Sequence, residues 1–159
     1  MAKGPQIGDP APDFELAGTD GTFRLSEHRG ERVILLFYPG DNTPVCARQF
    51  CSYRDNPDAF SQLGATAVGI SSQSIESHEK FRDKHGLTVP LLADEDGAVA
   101  KAYGARRPVG GTNRVVVIVD EQGIVRHRHD PLLGLSYQTA DDLRDALDSL
   151  PAPAASTGD

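Results

Sequence analysis

The chain is short of cysteine, of long apolar runs and of basic charge, and each shortage closes off a class of protein. The longest apolar run covers residues 33–38, far below the roughly 20 residues a helix needs to cross a bilayer. The opening Met1-Ala2-Lys3-Gly4-Pro5-Gln6 has no apolar stretch of the secretory-signal kind, so a cytoplasmic protein with no membrane partner is expected. Lysine and arginine total 16 against 23 acidic residues, a net charge of −7 without a basic patch, which argues against nucleic acid as a partner. The short basic stretches Arg106-Arg107 and Arg126-His127-Arg128-His129 are read as a turn and a solvated strand face. No internal repeat of solenoid period is present.

Only two cysteines occur, Cys46 and Cys51. A structural disulfide is not expected in a reducing compartment, and a bridge over so short a loop would constrain little of the unfolded chain. Structural zinc normally takes four ligands, so two thiols make a poor metal site, and no metal or other cofactor is expected. Two inert thiols or a redox pair remain.

What is present fits one α/β domain. The 159 residues are 38% hydrophobic, enough for a sizeable core. Residues 1–150 are expected to form the domain, and the small, Pro/Ala-rich residues 151–159 a disordered tail. Continuous apolar stretches at 32–38, 65–70 and 114–119 read as buried strands. Residues 124–129 read as a strand after the Glu121-Gln122-Gly123 turn, and 22–25 as a short edge strand. Ser74 can cap a helix that ends at Gly86, with Ile75, His78, Phe81, Arg82 and His85 at helical spacing. His78 and His85 are taken as surface or boundary residues of that helix. Residues 98–103 suggest a short helix closed by Gly104, with Asp94-Glu95-Asp96 as the turn and helix start before it. Residues 45–63 suggest a helix interrupted at Asn56-Pro57. Thr139 and Asp142 suggest a capping box for a last helix reaching about residue 150. This order describes a central mixed sheet flanked by helices, compatible with a thioredoxin-like fold, in which the Gly123 hairpin supplies the antiparallel part.

Directly after the first buried strand comes Pro39-Gly40-Asp41-Asn42-Thr43-Pro44-Val45-Cys46. Cys46 is therefore expected in the first turn of a helix, beyond the carboxyl end of a central strand. Unpaired N–H groups and the helix dipole there favour the thiolate, the nucleophilic form of the residue. Ionisation alone is a modest gain: lowering a thiol pKa from about 8.5 to about 6 raises the thiolate fraction at pH 7 only ~30-fold. A sulfur that breaks an O–O bond also needs donors aimed at the leaving oxygen. The candidates are the Thr43 hydroxyl, the N–H groups of Val45 and Cys46, and an arginine. Pro39 would shape the loop and shield the thiolate from water.

Pro39-x3-Thr43-x2-Cys46 resembles the peroxiredoxin signature, and Cys51 resembles the resolving cysteine of the PrxQ or bacterioferritin-comigratory-protein subfamily. Gly8-Asp9-Pro10-Ala11-Pro12-Asp13-Phe14 resembles the family's opening. Tyr53-Arg54-Asp55, Val68-Gly69-Ile70-Ser71 and Val89-Pro90-Leu91-Leu92-Ala93-Asp94 resemble later blocks, so the likeness spans roughly residues 8 to 148. Two positions depart from the subfamily: Val45-Cys46-Ala47 stands where Gly-Cys-Thr is expected, and Gln49 where Glu is frequent. Neither removes a reacting group. The family's second arginine opens a late strand that ends in Asp, and Arg114, ahead of Val115 to Asp120, fits that place. Arg48 and Arg54 are its rivals by proximity in sequence.

The resemblance implies peroxide as substrate, Cys46 sulfenic acid, a disulfide to Cys51, and reduction by thioredoxin or a similar dithiol. It implies a monomer or weak dimer and no cofactor. On one regular helix Cys46 and Cys51 would stand roughly 8 to 9 Å apart, beyond the ~7 Å limit for a disulfide, so the helix must unwind locally for them to bond. Plainer readings stand beside these. Either thiol could be a core residue, Thr43 a simple helix cap, Arg114 a partner for an acid across the sheet, and Pro39 loop punctuation. His127 and His129 share a strand face but lack further ligands, and Gly110-Gly111 lacks the lysine and serine of a phosphate loop. Two other functions compete. A thioredoxin-type disulfide oxidoreductase normally carries C-x-x-C rather than C-x4-C, and a non-enzymatic redox sensor would be oxidised without turning over.

Overall fold

Alternation along the apolar strands decides the architecture, because successive side chains of a strand point to opposite faces of its sheet. The computed structural model describes residues 4–40, 50, 51, 53, 55, 65–106, 112–129, 143 and 145–147. A small antiparallel pair comes first, β1 (Glu15–Leu16) and β2 (Phe23–Arg24), followed by a 3-10 turn at Leu25–His28. The main sheet contains β3 (Arg32–Phe37), β4 (Ala65–Ser71), β5 (Leu91–Ala93), β6 (Val115–Val119) and β7 (Val125–His129), in the spatial order β5-β4-β3-β6-β7. Two described helices join it, α1 (Ile75–His85) and α2 (Ala98–Ala102). Phe50, Cys51, Tyr53 and Asp55 are also helical, as are Leu143 and residues 145–147.

The mixed α/β sheet agrees with the sequence reading, with one correction to its topology. Strand β4 runs parallel to both β3 and β5, whereas β6 is antiparallel to β3 as well as to β7. The antiparallel part therefore begins one strand before the Gly123 hairpin. Central strands buried on both faces read alike whichever way they run, so their direction is invisible to periodicity. Strands β1 and β5 were not foreseen, since stretches of two and three residues carry no period.

The helix ends follow their local chemistry. The Ser74 hydroxyl accepts the Ser77 N–H at 3.2 Å, and Gly86 closes α1 in the left-handed conformation, with its N–H donating to the Arg82 carbonyl. The buried Asp94 carboxylate accepts the N–H groups of Val99 (3.1 Å) and Ala100 (2.8 Å), holding the start of α2. At the β6–β7 turn the Asp120 carboxylate accepts the Gln122 and Ile124 N–H groups, both at 2.9 Å.

Each sheet face has its own core. On one, Ile34, Leu36, Tyr38, Ala67, Leu91, Val116 and Ile118 pack with Phe50, Tyr53, Phe81, Leu143 and Leu147. On the other, Val33, Leu35, Phe37, Val68, Ile70, Val115 and Val117 pack with Phe23, Leu25, Val99, Ala100, Tyr103 and Val125. The Tyr103 hydroxyl donates to the Pro12 carbonyl at 2.5 Å, and burial pushes its phenol above the ordinary pKa. The second core is thereby tied to the N-terminal arm.

The basic stretch on β7, Arg126 to His129, needs a partial correction: it is half-buried rather than a freely solvated face. The Arg128 guanidinium donates to the carbonyls of Tyr103 (2.6 Å), Pro5 (3.2 Å) and Gly104 (3.4 Å), and Arg126 pairs with Asp120 at 2.8 Å. Arginine's long apolar stem and fixed fork of donors let it cover backbone in this way. The interruption at Asn56-Pro57, the Thr139–Asp142 capping box, the Gly110-Gly111 loop and the 151–159 tail lie outside the described residues.

Candidate active site

Parallel strands β3, β4 and β5 all end at the same edge of the sheet, where antiparallel β6 begins. Ligand sites of open α/β sheets form outside the carboxyl ends of strands. This edge also collects polar side chains that the rest of the core lacks: Ser71, His78, Asp94, Thr112 and Arg114 are the buried polar or charged residues among those described.

Strand β3 runs out through Tyr38, fully buried, whose N–H donates to the Ile70 carbonyl at 3.1 Å. Pro39, half-buried, and Gly40, buried, follow. The Gln73 side-chain amide packs against Gly40, with its atoms 3.2–3.3 Å from where a Cβ would stand. Thr43 and Cys46 lie outside the described residues, as do Arg48 and Arg54. The described chain stops at Gly40 and resumes at Phe50.

Arg114 directly precedes β6 and is 3% exposed. Phe37 pairs with Val115, so one further step of the register sets Arg114 across from Tyr38. The two-residue period puts Arg114 on the face of Val116 and Ile118, which is the face that Phe50 and Cys51 cover. A guanidinium held at that depth requires its charge and donors to be matched. Cys51 carries a free thiol, half-buried against the same core cluster. Arg114 and Cys51 thus lie on the same face of the sheet, and Pro39 follows directly after Tyr38 at the end of β3.

One residue there was misjudged from sequence. His78 is fully buried rather than a surface or boundary residue; His85 is half-buried, as expected. The His78 Nε2 lies 3.0 Å from the Leu92 carbonyl oxygen, and Nδ1 lies 3.2 Å from the Tyr38 hydroxyl. A carbonyl can only accept, so Nε2 carries a proton, and in the neutral ring Nδ1 then accepts from Tyr38. This chain of bonds ties α1 and the strand β5 to the residue that leads into Pro39. The spacing of His78, three positions before Phe81, is compatible with a buried face but does not distinguish it from a solvated one.

Among the described residues no group of three or more His, Cys, Asp and Glu side chains could hold a metal, and no helix is long and apolar enough to cross a membrane. A buried cation beside an exit loop, with a thiol on the flanking helix, suits reactions at sulfur that build negative charge on oxygen.

Comparison with known proteins agrees. The AhpC/TSA family profile matches residues 7–128. The chain is 37% identical over 126 residues to peroxiredoxin Bcp of Bacillus subtilis, covering 74% of this chain and 80% of that one. It is 37% identical over 123 residues to the chloroplastic peroxiredoxin Q of Oryza sativa subsp. japonica, covering 76% of this chain and 57% of that longer one. In structure it is similar to the peroxidoxin BcpB of Mycobacterium tuberculosis, with a TM-score of 0.80 and 27% identity over 93% of this chain and 99% of that one. The fold is therefore the thioredoxin-like fold of peroxiredoxins, as the order of elements led us to expect. The family match over residues 7–128 and the identity to these relatives lead to one conclusion: the chain belongs to the AhpC/TSA family and is a peroxiredoxin, a thiol peroxidase acting on peroxide.

Proposed function

We propose that Cys46 is the attacking sulfur and that Cys51 resolves it. The Cys46 thiolate attacks one peroxide oxygen, the O–O bond breaks, and the leaving oxygen takes a proton to depart as water or alcohol. Cys46 is then a sulfenic acid. The Cys51 sulfur next displaces its hydroxyl, an S–S bond forms and water leaves. An external dithiol, thioredoxin or a protein like it, supplies the two electrons that restore both thiols. Arg114 and Thr43 would donate to the peroxide oxygens, and Pro39 would screen the thiolate. Both hydrogen peroxide and organic hydroperoxides fit a reaction that needs only an O–O bond.

The observation that carries this reading is the buried Arg114 guanidinium, set across from the end of β3 on the face covered by Cys51. A permanent positive charge there favours both a thiolate and an oxygen gaining charge. Residues 1–150 acting as one domain, with 151–159 as a tail, a monomeric or weakly dimeric state and a cytoplasmic setting complete the proposal. A setting that keeps both thiols reduced between turnovers supports the last of these.

Peroxide consumption coupled to a thioredoxin system tests the assignment. Cys46→Ser is expected to abolish consumption. Cys51→Ser is expected to consume about one equivalent and then stall, because its sulfenic acid has no internal partner. Full turnover by Cys46→Ser would overturn the assignment.

A further inference from the structure

Phe50 immediately precedes Cys51, is 1% exposed, and lies on the sheet over Gly69 in the middle of β4. A Cβ at Gly69 would stand 3.0 Å from the Phe50 Cζ, 3.1 Å from its Cε1 and 2.9 Å from the Leu91 Cδ2. Glycine within a strand weakens it and marks a place where another group approaches closely. Here that group is the Phe50 ring. Three other rings meet it nearly edge-on: Tyr38 at 4.9 Å, Tyr53 at 5.8 Å and Phe81 at 6.1 Å between centroids. Such arrangements add to the burial energy of the ring. Tyr53 is buried in the same cluster, but Phe50 is the residue whose ring meets Gly69.

We infer that Phe50, seated in the socket left by Gly69, is the latch that sets how readily the Cys51 segment leaves the sheet. It thereby sets how the sulfenic acid divides between disulfide and sulfinic acid. The inference rests on the Cys46–Cys51 reading above. A sulfenic acid at Cys46 has two fates. It can condense with Cys51, releasing water, at a rate set by opening of the helix. It can instead attack a second peroxide, whose O–O bond breaks to leave a sulfinic acid and one water or alcohol, at a rate proportional to peroxide. A firm latch lengthens the life of the sulfenic acid and favours the second fate; a loose one favours the bridge. Phe50 is a positioning residue in this scheme, since it acts through the segment that bears Cys51.

The test oxidises full-length protein with graded hydrogen peroxide and measures disulfide against sulfinic acid by mass spectrometry. Amide exchange of the peptide containing Cys51 is followed in the reduced state. Phe50→Ala is expected to raise the peroxide concentration giving equal amounts of the two products by about tenfold or more, as removal of a buried ring frees the segment. Exchange of the Cys51 peptide should rise in parallel. Gly69→Ala, which crowds the ring, and Phe50→Leu should move both readouts the same way by less; they also serve if Phe50→Ala does not fold. Val99→Ala, in the core of the opposite face, should lower thermal stability without moving the product ratio. The latch is wrong if the Phe50 and Gly69 variants leave the ratio unchanged, or move it no more than Val99→Ala does. Wild type that never forms the Cys46–Cys51 bridge would sink the latch together with the reading beneath it, and the wild-type disulfide map reports that separately.

Discussion

The two faces of the sheet are built from the same strands, yet they hold different things. The face of Val33, Leu35, Phe37, Val115 and Val117 is plain hydrocarbon packed against α2 and the N-terminal arm. The opposite face also has an apolar core, but Arg114, Cys51 and the Tyr38–His78 pair sit on or against it. One strand can serve both purposes because alternate residues never meet. The difference teaches that plain packing and buried polar groups can be kept apart within a single layer of backbone, with Tyr38 and Arg114 on the face proposed to carry the chemistry.

The comparison can be broken most forcefully at Arg114. Arg114→Lys keeps the charge but loses the fork of donors, and the second-order rate with peroxide should fall about 100-fold, as when one transition-state donor is lost. Stopped-flow oxidation measures it; a rate within a factor of about two of wild type would remove Arg114 from the chemistry. On the other face, Leu35→Ala should cost about 2–5 kcal/mol in urea unfolding while the rate per folded molecule stays the same. A fall in that rate would erase the distinction between the faces. Tyr38→Phe withdraws the hydroxyl donated to His78 Nδ1, and a buried acceptor losing its donor should lower stability by about 1–3 kcal/mol.

The smallest effect is expected at the far end of β6. Burial raises the pKa of the Asp120 carboxyl, but bonds from Arg126 and the Ile124 and Gln122 N–H groups outweigh it and hold the value below the ordinary 3.8. A depressed folded pKa means the stabilisation is complete above the unfolded value and is lost as pH falls through the folded one. Asp120→Asn should therefore cost about 1 kcal/mol near neutral pH. The gap from wild type should close as pH drops below 3.8, as urea titrations at several pH values would reveal.

Legibility from sequence followed the length and purpose of each segment. Strands β3, β4, β6 and β7 and helices α1 and α2 were readable to within a residue or two, because continuous apolar runs, Ser74, Gly86 and the Gly123 turn are local signals. Strands β1 and β5 were not, since two or three residues acquire strand character only from their neighbours. His78 was misplaced because a histidine at helical spacing looks the same whether it faces water or a tyrosine. Arg114 stands out in the sequence through the family resemblance, which places an arginine at the opening of a late strand, but its burial and its place across from Tyr38 are not legible there.

The amino-acid order alone determined which stretches bury themselves, where the turns fall, and that a thiol follows a strand through a proline- and glycine-rich loop. Those are properties of neighbouring residues, fixed by solvation and backbone sterics. Strand direction, the pairing of β3 with β6, the seat of Phe50 over Gly69 and the His78–Tyr38 link were decided only by the tertiary structure. Each joins residues far apart in the chain, and no local preference can specify a partner that only packing brings near.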